Sequence, residues 1–192
     1  MKAIPFIVGL LLPAASLLWT AGSRAESPAA PFEVTSASFA DGARLPSTRF
    51  VHDGHGCSGA NLSPEVSWRG APKGTRSYAV TLFDRDAGGG RGWWHWIVFD
   101  IPASVDRLPE GAGQGASLPA GTVQGTSDFG EPGYQGPCPP EGDAAHHYVL
   151  TVYALDSDRL DLGETAKGVE ASAAFKPHTL ASDSITFLYE RP

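Results

Sequence analysis

The chain has 192 residues, 42% of them hydrophobic, and carries a formal net charge of −7. That length suffices for one domain able to bury a core of its own. The acidic balance, with no basic cluster to displace counterions, excludes a protein that tracks a phosphate backbone, so nucleic acid is not an expected partner.

The first residues read as a secretory signal peptide over 1–25: Lys2, an apolar run from Ile4 to Trp19, then Ser23-Arg24-Ala25. Pro5 and Pro13 interrupt the run, and it is shorter than the roughly 20 apolar residues of a spanning helix. Cleavage with no stable membrane insertion afterwards is therefore expected, and with it a periplasmic or secreted location. The remaining residues, 26–192, are read as a single domain. Its two cysteines, Cys57 and Cys138, lie in turn-rich segments. In an oxidising compartment such a pair bridges or stays as two buried thiols, and spacing alone leaves both readings open.

Short runs rich in β-branched and aromatic residues predict strands at Phe32–Ser36, Ser77–Phe83, Trp94–Phe99, Tyr148–Leu155 and Ser184–Tyr189. Segments of Gly, Pro and Asp between them predict turns and long loops, including the stretch from Pro109 to Gly125, which is free to present a contact surface. One helix is predicted over Glu164–Phe175, with Ala166, Val169 and Ala173 on its buried face. The class is mainly β, with a large antiparallel sheet and a few short helices.

Strict alternation sorts the side chains of each strand. In WWHWIVFD it places Trp93, His95, Ile97 and Phe99 on one face and Trp94, Trp96 and Val98 on the other, with Trp94 and Trp96 as core residues. In HHYVLTVYAL, His146, Tyr148, Leu150 and Val152 face one way. Asp84 and Asp86 end a strand on a common face, either as turn caps or as part of a site shared with the two histidines. His52 and His55 are read as a solvated loop; without two more well-spaced ligands no metal is expected there.

SPEVSW (Ser63 to Trp68), DRDAGGGRGWWHWIVFDIPA (Asp84 to Ala103) and SDFGEPGYQGPCPPEGDAAHHYVLTVYALD (Ser127 to Asp156) resemble the phosphatidylethanolamine-binding protein family, in its bacterial Raf-kinase-inhibitor-like branch. The resemblance implies a β-sandwich around a large antiparallel sheet, with a small anion pocket at one end. It implies a ligand-binding set of Asp84, Asp86, His95, Gly136, Pro137, Pro139, Pro140, His146 and Tyr148, with His178 and Tyr189 placed only loosely beside it. Arg85 and Gly88-Gly89-Gly90 depart from the family pattern, where prolines are frequent.

These residues lead to an exported binding protein for a small anionic ligand carrying a phosphoryl or carboxylate group, with no cofactor. A rigid loop of Gly and Pro is expected to bring backbone N–H groups close to the anion. A protein partner such as a protease or kinase, modulated by the chain, fits the same resemblance. The alternative is a hydrolase using the His/Asp cluster for acid–base chemistry, although no Ser sits in a G-x-S-x-G elbow and no Gly-rich loop has the P-loop pattern.

Overall fold

The computed structural model of the chain describes residues 30–114 and 118–191. The leader expected over residues 1–25 lies outside them, as do residues 115–117 of the loop from Pro109 to Gly125. Ten strands follow one another in the described residues: β1 (Glu33–Thr35), β2 (Asp53–Gly54), β3 (Cys57–Ser58), β4 (Val66–Arg69), β5 (Ser77–Asp84), β6 (Trp93–Pro102), β7 (Arg107–Leu108), β8 (Val123–Gln124), β9 (His146–Leu155) and β10 (Thr179–Tyr189). Helix α1 (Gly168–Phe175) precedes the last strand.

The strands form a five-stranded sheet ordered β10-β9-β5-β6-β8, a three-stranded sheet ordered β1-β4-β7 and a β2-β3 hairpin, and the pairings within them are antiparallel. The large sheet is apolar on both faces because both are covered. Val80, Leu82, Trp96, Val98, Leu150 and Val152 pack on one side against Val34, Val66 and Trp68 of the small sheet. Ala79, Ile97 and Phe99 pack on the other side against Ala171 and Phe175 of α1. Each large side chain removed from water in this way stabilises the fold by about 1.5–3 kcal/mol.

Two expectations are corrected. In β6 the alternation breaks: Leu82 pairs with Trp96 but Phe83 pairs with Trp94, so His95 is an extra residue, a β-bulge. Trp94 and Trp96 therefore fall on opposite faces. Trp96 joins the core beneath the small sheet while Trp94, partly buried, packs with the α1 core. His95 parts from Ile97 and Phe99, which lie on the α1 side.

The helix is shorter than predicted and rolled about its axis. Its buried residues are Gly168, Ala171 and Phe175, while Val169 is 71% exposed. Phe175, the largest apolar side chain of the segment, enters the core, and Gly168 lies so close to the Trp94 ring that a Cβ there would sit 2.1 Å from it. These two contacts select the buried face. The Glu170 carboxylate accepts a hydrogen bond from the Lys167 N–H at 3.0 Å and closes the first turn.

Candidate functional site

Antiparallel pairing brings the end of β5 and the starts of β6 and β9 to the same end of the large sheet. Asp84 pairs with Trp93 on one side and with Tyr148 on the other, and directly opposed residues share a face. At this end the core opens into a cavity of about 520 Å³. Its polar wall is formed by Asp84, Asp86, His95, Asp143, His146 and Tyr148. Trp93, Phe129, Pro139 and Pro140 form the apolar wall.

The carboxylates are held by partners. Asp84 Oδ1 accepts the N–H groups of Asp86 and Ala87 at 2.9 and 3.2 Å, the turn-capping role, and its Oδ2 lies 2.7 Å from His146 Nδ1. Asp86 Oδ2 accepts both the His147 N–H at 2.6 Å and the His147 Nδ1–H at 2.8 Å. These bonds outweigh the opposing effect of partial burial and lower the Asp86 pKa. Both alternatives left open for the pair thus hold at once: the aspartates cap the turn and border the cavity. His146 Nε2 stands 3.6 Å from Asp143 Oδ2.

The bulge turns His95 toward the cavity, beside Tyr148 with ring centroids 5.2 Å apart. Its Nδ1 lies 2.7 Å from the Gln135 carbonyl oxygen and 3.1 Å from that of Gly136. Two acceptors on one nitrogen make Nδ1 the N–H of the ring and leave Nε2 without a protein partner. Burial lowers the His95 pKa to about 4, against the opposing effect of the two carbonyls. Tyr148 is fully buried; burial first, then the charge of the Asp84 carboxylate beside it, keeps its proton on. The buried Trp93 indole N–H has no hydrogen-bond partner.

The Pro-rich loop acts differently from expectation. Gly136 and Pro137 do not line the cavity, whereas Cys138, Pro139 and Pro140 do. The Gly136 N–H donates to Asn61 Oδ1 at 2.8 Å, and the prolines have none to offer, so none of these four residues supplies the N–H donors expected of them. Gly136 is needed for close approach instead: a Cβ there would lie 2.2 Å from the Phe50 carbonyl oxygen. Cys138 is bridged to Cys57 of β3, which decides the cysteine question and fixes the loop to the β2–β3 hairpin.

Other sequence candidates lie elsewhere. His178 bonds Asp156 at 2.9 Å, and Tyr189 borders a separate depression with Arg191. Arg85 is exposed and not part of the cavity wall, whereas Gly88 and Gly89 line it with left-handed φ of 60° and 68° that proline cannot adopt. His52, expected in a solvated loop, is buried and stacks on Phe129 at 4.6 Å and on His55 at 5.3 Å. Burial, then the neighbouring His55, lowers its pKa. Among the described residues no three His, Cys, Asp or Glu side chains are arranged to hold a metal ion.

With Ala87 and Trp93, which border it from the turn after β5 and the start of β6, the wall includes Phe129 and Asp143, both absent from the set expected from the sequence. Phe129 also touches the rings of Trp93 and His95 at 5.6 and 5.5 Å. The only sequence signal for either was the Gly- and Pro-rich context around it.

A sandwich of a five-stranded and a three-stranded sheet, with a titratable cavity where the large sheet ends, defines the class of this protein. The chain belongs to the phosphatidylethanolamine-binding protein family, whose model matches residues 35–190. It is 44% identical over 164 residues to the UPF0098 protein YbcL of Escherichia coli, covering 84% of this chain and 89% of YbcL. It is 45% identical over 150 residues to YbhB of the same organism, covering 78% of this chain and 94% of YbhB. The crystal structure of YbcL, described as a new member of the mammalian PEBP family, superposes with a TM-score of 0.81 at 43% identity, over 85% of this chain and all of that one. A relative from Mycobacterium tuberculosis, 38% identical over 156 residues, covering 81% of this chain and 71% of its own length, is named "Putative lipoprotein LppC". No helix among the described residues is long and apolar enough to cross a membrane.

Proposed function

We propose that this chain is an exported binding protein whose cavity takes the phosphoryl or carboxylate group of a small molecule. The observation that carries the reading is the Trp93 indole N–H, buried on the cavity wall with no hydrogen-bond partner. A buried N–H left unpaired costs about 1–3 kcal/mol, so a ligand oxygen that accepts from it recovers that cost on binding. The Tyr148 hydroxyl, on the same wall beside the Asp84 carboxylate, supports the same reading. Asp84 and Asp86, which would repel an anion, are engaged by backbone amides and histidines and orient those groups instead. Export rests on the leader read in the sequence and accords with the name of the mycobacterial relative.

Calorimetric titration with inorganic phosphate and phosphoethanolamine at pH 6 tests this. The wild type should bind at least one of them, and Trp93→Phe, which removes the indole N–H and keeps an aromatic ring, should weaken binding by about tenfold, the equivalent of one lost hydrogen bond. Absence of binding in the wild type, or unchanged affinity in Trp93→Phe, overturns the reading.

A hydrolase is the second reading, favoured by the Asp84–His146 contact at 2.7 Å, an arrangement that holds an imidazole for proton transfer. Turnover of p-nitrophenyl phosphate or acetate by the purified wild type, lost in His146→Ala and kept in an Arg69→Ala surface control, would establish it.

A further inference from the structure

We propose that Arg191 is a positioning residue for the cavity: its guanidinium joins the Pro139–Pro140 wall to the turn of the β2–β3 hairpin beside the Cys57–Cys138 disulfide, so the wall keeps its place when the disulfide is reduced. This holds whatever occupies the cavity and so goes beyond the reading above.

The wall has few anchors of its own. Three of the four residues from Pro137 to Pro140 are prolines, so Cys138 carries the only backbone N–H of the stretch. The wall is held instead through the carbonyl oxygens of the prolines. The Pro140 oxygen accepts the Asp143 N–H at 3.3 Å, a contact within the loop. Two donors reach in from other segments: the His52 N–H, at 3.2 Å from the Pro137 oxygen, and Arg191 Nε, at 2.6 Å from the Pro139 oxygen. The second of these is charged, and charge-assisted hydrogen bonds are roughly twice as strong as neutral ones.

The same guanidinium spans to the hairpin, where its Nη1 donates to the Gly56 carbonyl oxygen at 2.9 Å. Gly56 precedes Cys57 and Pro139 follows Cys138, so the guanidinium and the disulfide connect neighbouring positions on the same two segments. Two donors of one rigid planar group fix the separation of the two carbonyls, which a flexible ammonium would not. Residue 191 is itself held in place, since its carbonyl oxygen accepts the Gly142 N–H at 3.3 Å. Cys138 and Pro139 border the cavity, and Cys57 and Arg191 border the separate depression beside Tyr189.

Links that constrain the same two segments are coupled. With the disulfide open, the guanidinium keeps the two thiols at a high effective concentration and favours their re-closure. By reciprocity, the closed disulfide favours the guanidinium bonds by the same factor. Arg191 therefore lowers the reduction potential of the disulfide, an effect that a residue contributing equally to the stability of both redox forms does not have.

Equilibration of the intact chain in dithiothreitol buffers of graded composition, followed by alkylation and mass measurement, gives the equilibrium constant for reduction. The reagent gives up two electrons and two protons and closes to its cyclic disulfide as Cys57 and Cys138 become thiols. Arg191→Ala should be reduced about tenfold more readily, about 30 mV for this two-electron couple. Arg191→Lys, which keeps a charged donor, should lie between it and the wild type. Arg44→Ala, which breaks the exposed contact with the adjacent Glu190 without touching the wall, should match the wild type. Hydrogen–deuterium exchange over residues 136–144 should rise by less than about threefold when the wild type is reduced and by more than about tenfold when Arg191→Ala is. A potential unchanged in Arg191→Ala, a shift as large in Arg44→Ala, or wild-type exchange that rises about tenfold on reduction alone overturns the proposal. If reduced Arg191→Ala does not fold, the comparison of the wild type with Arg191→Lys decides. No ligand enters either measurement, so a failure to bind anions overturns the reading above and leaves this one standing.

Discussion

His146 Nδ1 and Asp84 Oδ2 lie 2.7 Å apart although 62 positions separate the residues in sequence. Asp84 pairs with Tyr148, and His146 is two residues away on the same face of β9, the diagonal neighbour that a long side chain reaches. One carboxylate thus serves three donors: the imidazole and the N–H groups of Asp86 and Ala87. Asp84→Ala should cost about 3 kcal/mol, because it leaves buried donors unpaired. Asp84→Asn keeps an oxygen for the two amides and should cost about half as much. Urea denaturation of the two variants checks the order, and an alanine variant as stable as the asparagine one would refute it.

Much of this site could be read from alternation in β9, where His146, Tyr148, Leu150 and Val152 do share a face, because that strand runs without a bulge toward the cavity. The same reasoning failed in β6. The extra residue at His95 exists only relative to its partner strand, and it reverses every face assignment across it, so no period within WWHWIVFD could reveal it. Phe129 and Asp143 sit outside the strands, where side chains have no period to follow. The residues of the Pro-rich loop were recognisable, but the partner of the Gly136 N–H was not, since Asn61 lies 75 positions away. The roll of α1 was likewise set by a distant ring, that of Trp94.

The disulfide joins positions 81 residues apart and ties the Pro139–Pro140 wall to the β2–β3 hairpin. Closing a loop of that length stabilises the native state by about 4 kcal/mol through the chain entropy of the unfolded state, with native strain and residual structure reducing the measured value. A Cys57→Ser/Cys138→Ser chain should therefore melt well below the oxidised wild type and near the reduced wild type. Calorimetric melting with and without dithiothreitol measures this, and coincident melting of all three forms would refute it.

His95 and Trp96 are adjacent, buried, and part of one bulge, yet they should fail in different ways. Trp96 is fully buried in the core, with its indole N–H donating to Gln124 Oε1 at 2.8 Å, so Trp96→Ala should lose about 3–5 kcal/mol. His95→Ala opens its space to the cavity, where water can serve the Gln135 and Gly136 carbonyls, and should cost about 1–2 kcal/mol while abolishing phosphate binding. Denaturation and titration run on both variants decide. A His95→Ala chain that unfolds while its remaining native fraction binds phosphate fully would make His95 a packing residue.

Asp100 offers a stability test away from the cavity. It sits at a second irregularity of the β5–β6 pairing, with a left-handed φ of 57°, a conformation that Asp and Asn tolerate better than most residues. Its Oδ1 accepts the Leu160 N–H at 2.9 Å, while its buried Oδ2 has no hydrogen-bond partner and the Arg159 Nε is 3.9 Å away. Burial, aided by the Asp161 charge, raises its pKa. A carboxyl whose folded-state pKa lies above its unfolded value, about 3.9, favours the native state below that value and loses this contribution as pH rises through the folded pKa. Asp100→Asn keeps the Oδ1 acceptor and the tolerance of left-handed backbone, and it removes the ionisation. The variant should therefore be more stable than the wild type at pH 7, with the advantage shrinking as pH falls toward 3. Denaturant midpoints measured across that range test the sign, and an advantage that grew on acidification would show that Asp100 is stabilised in the fold as a carboxylate.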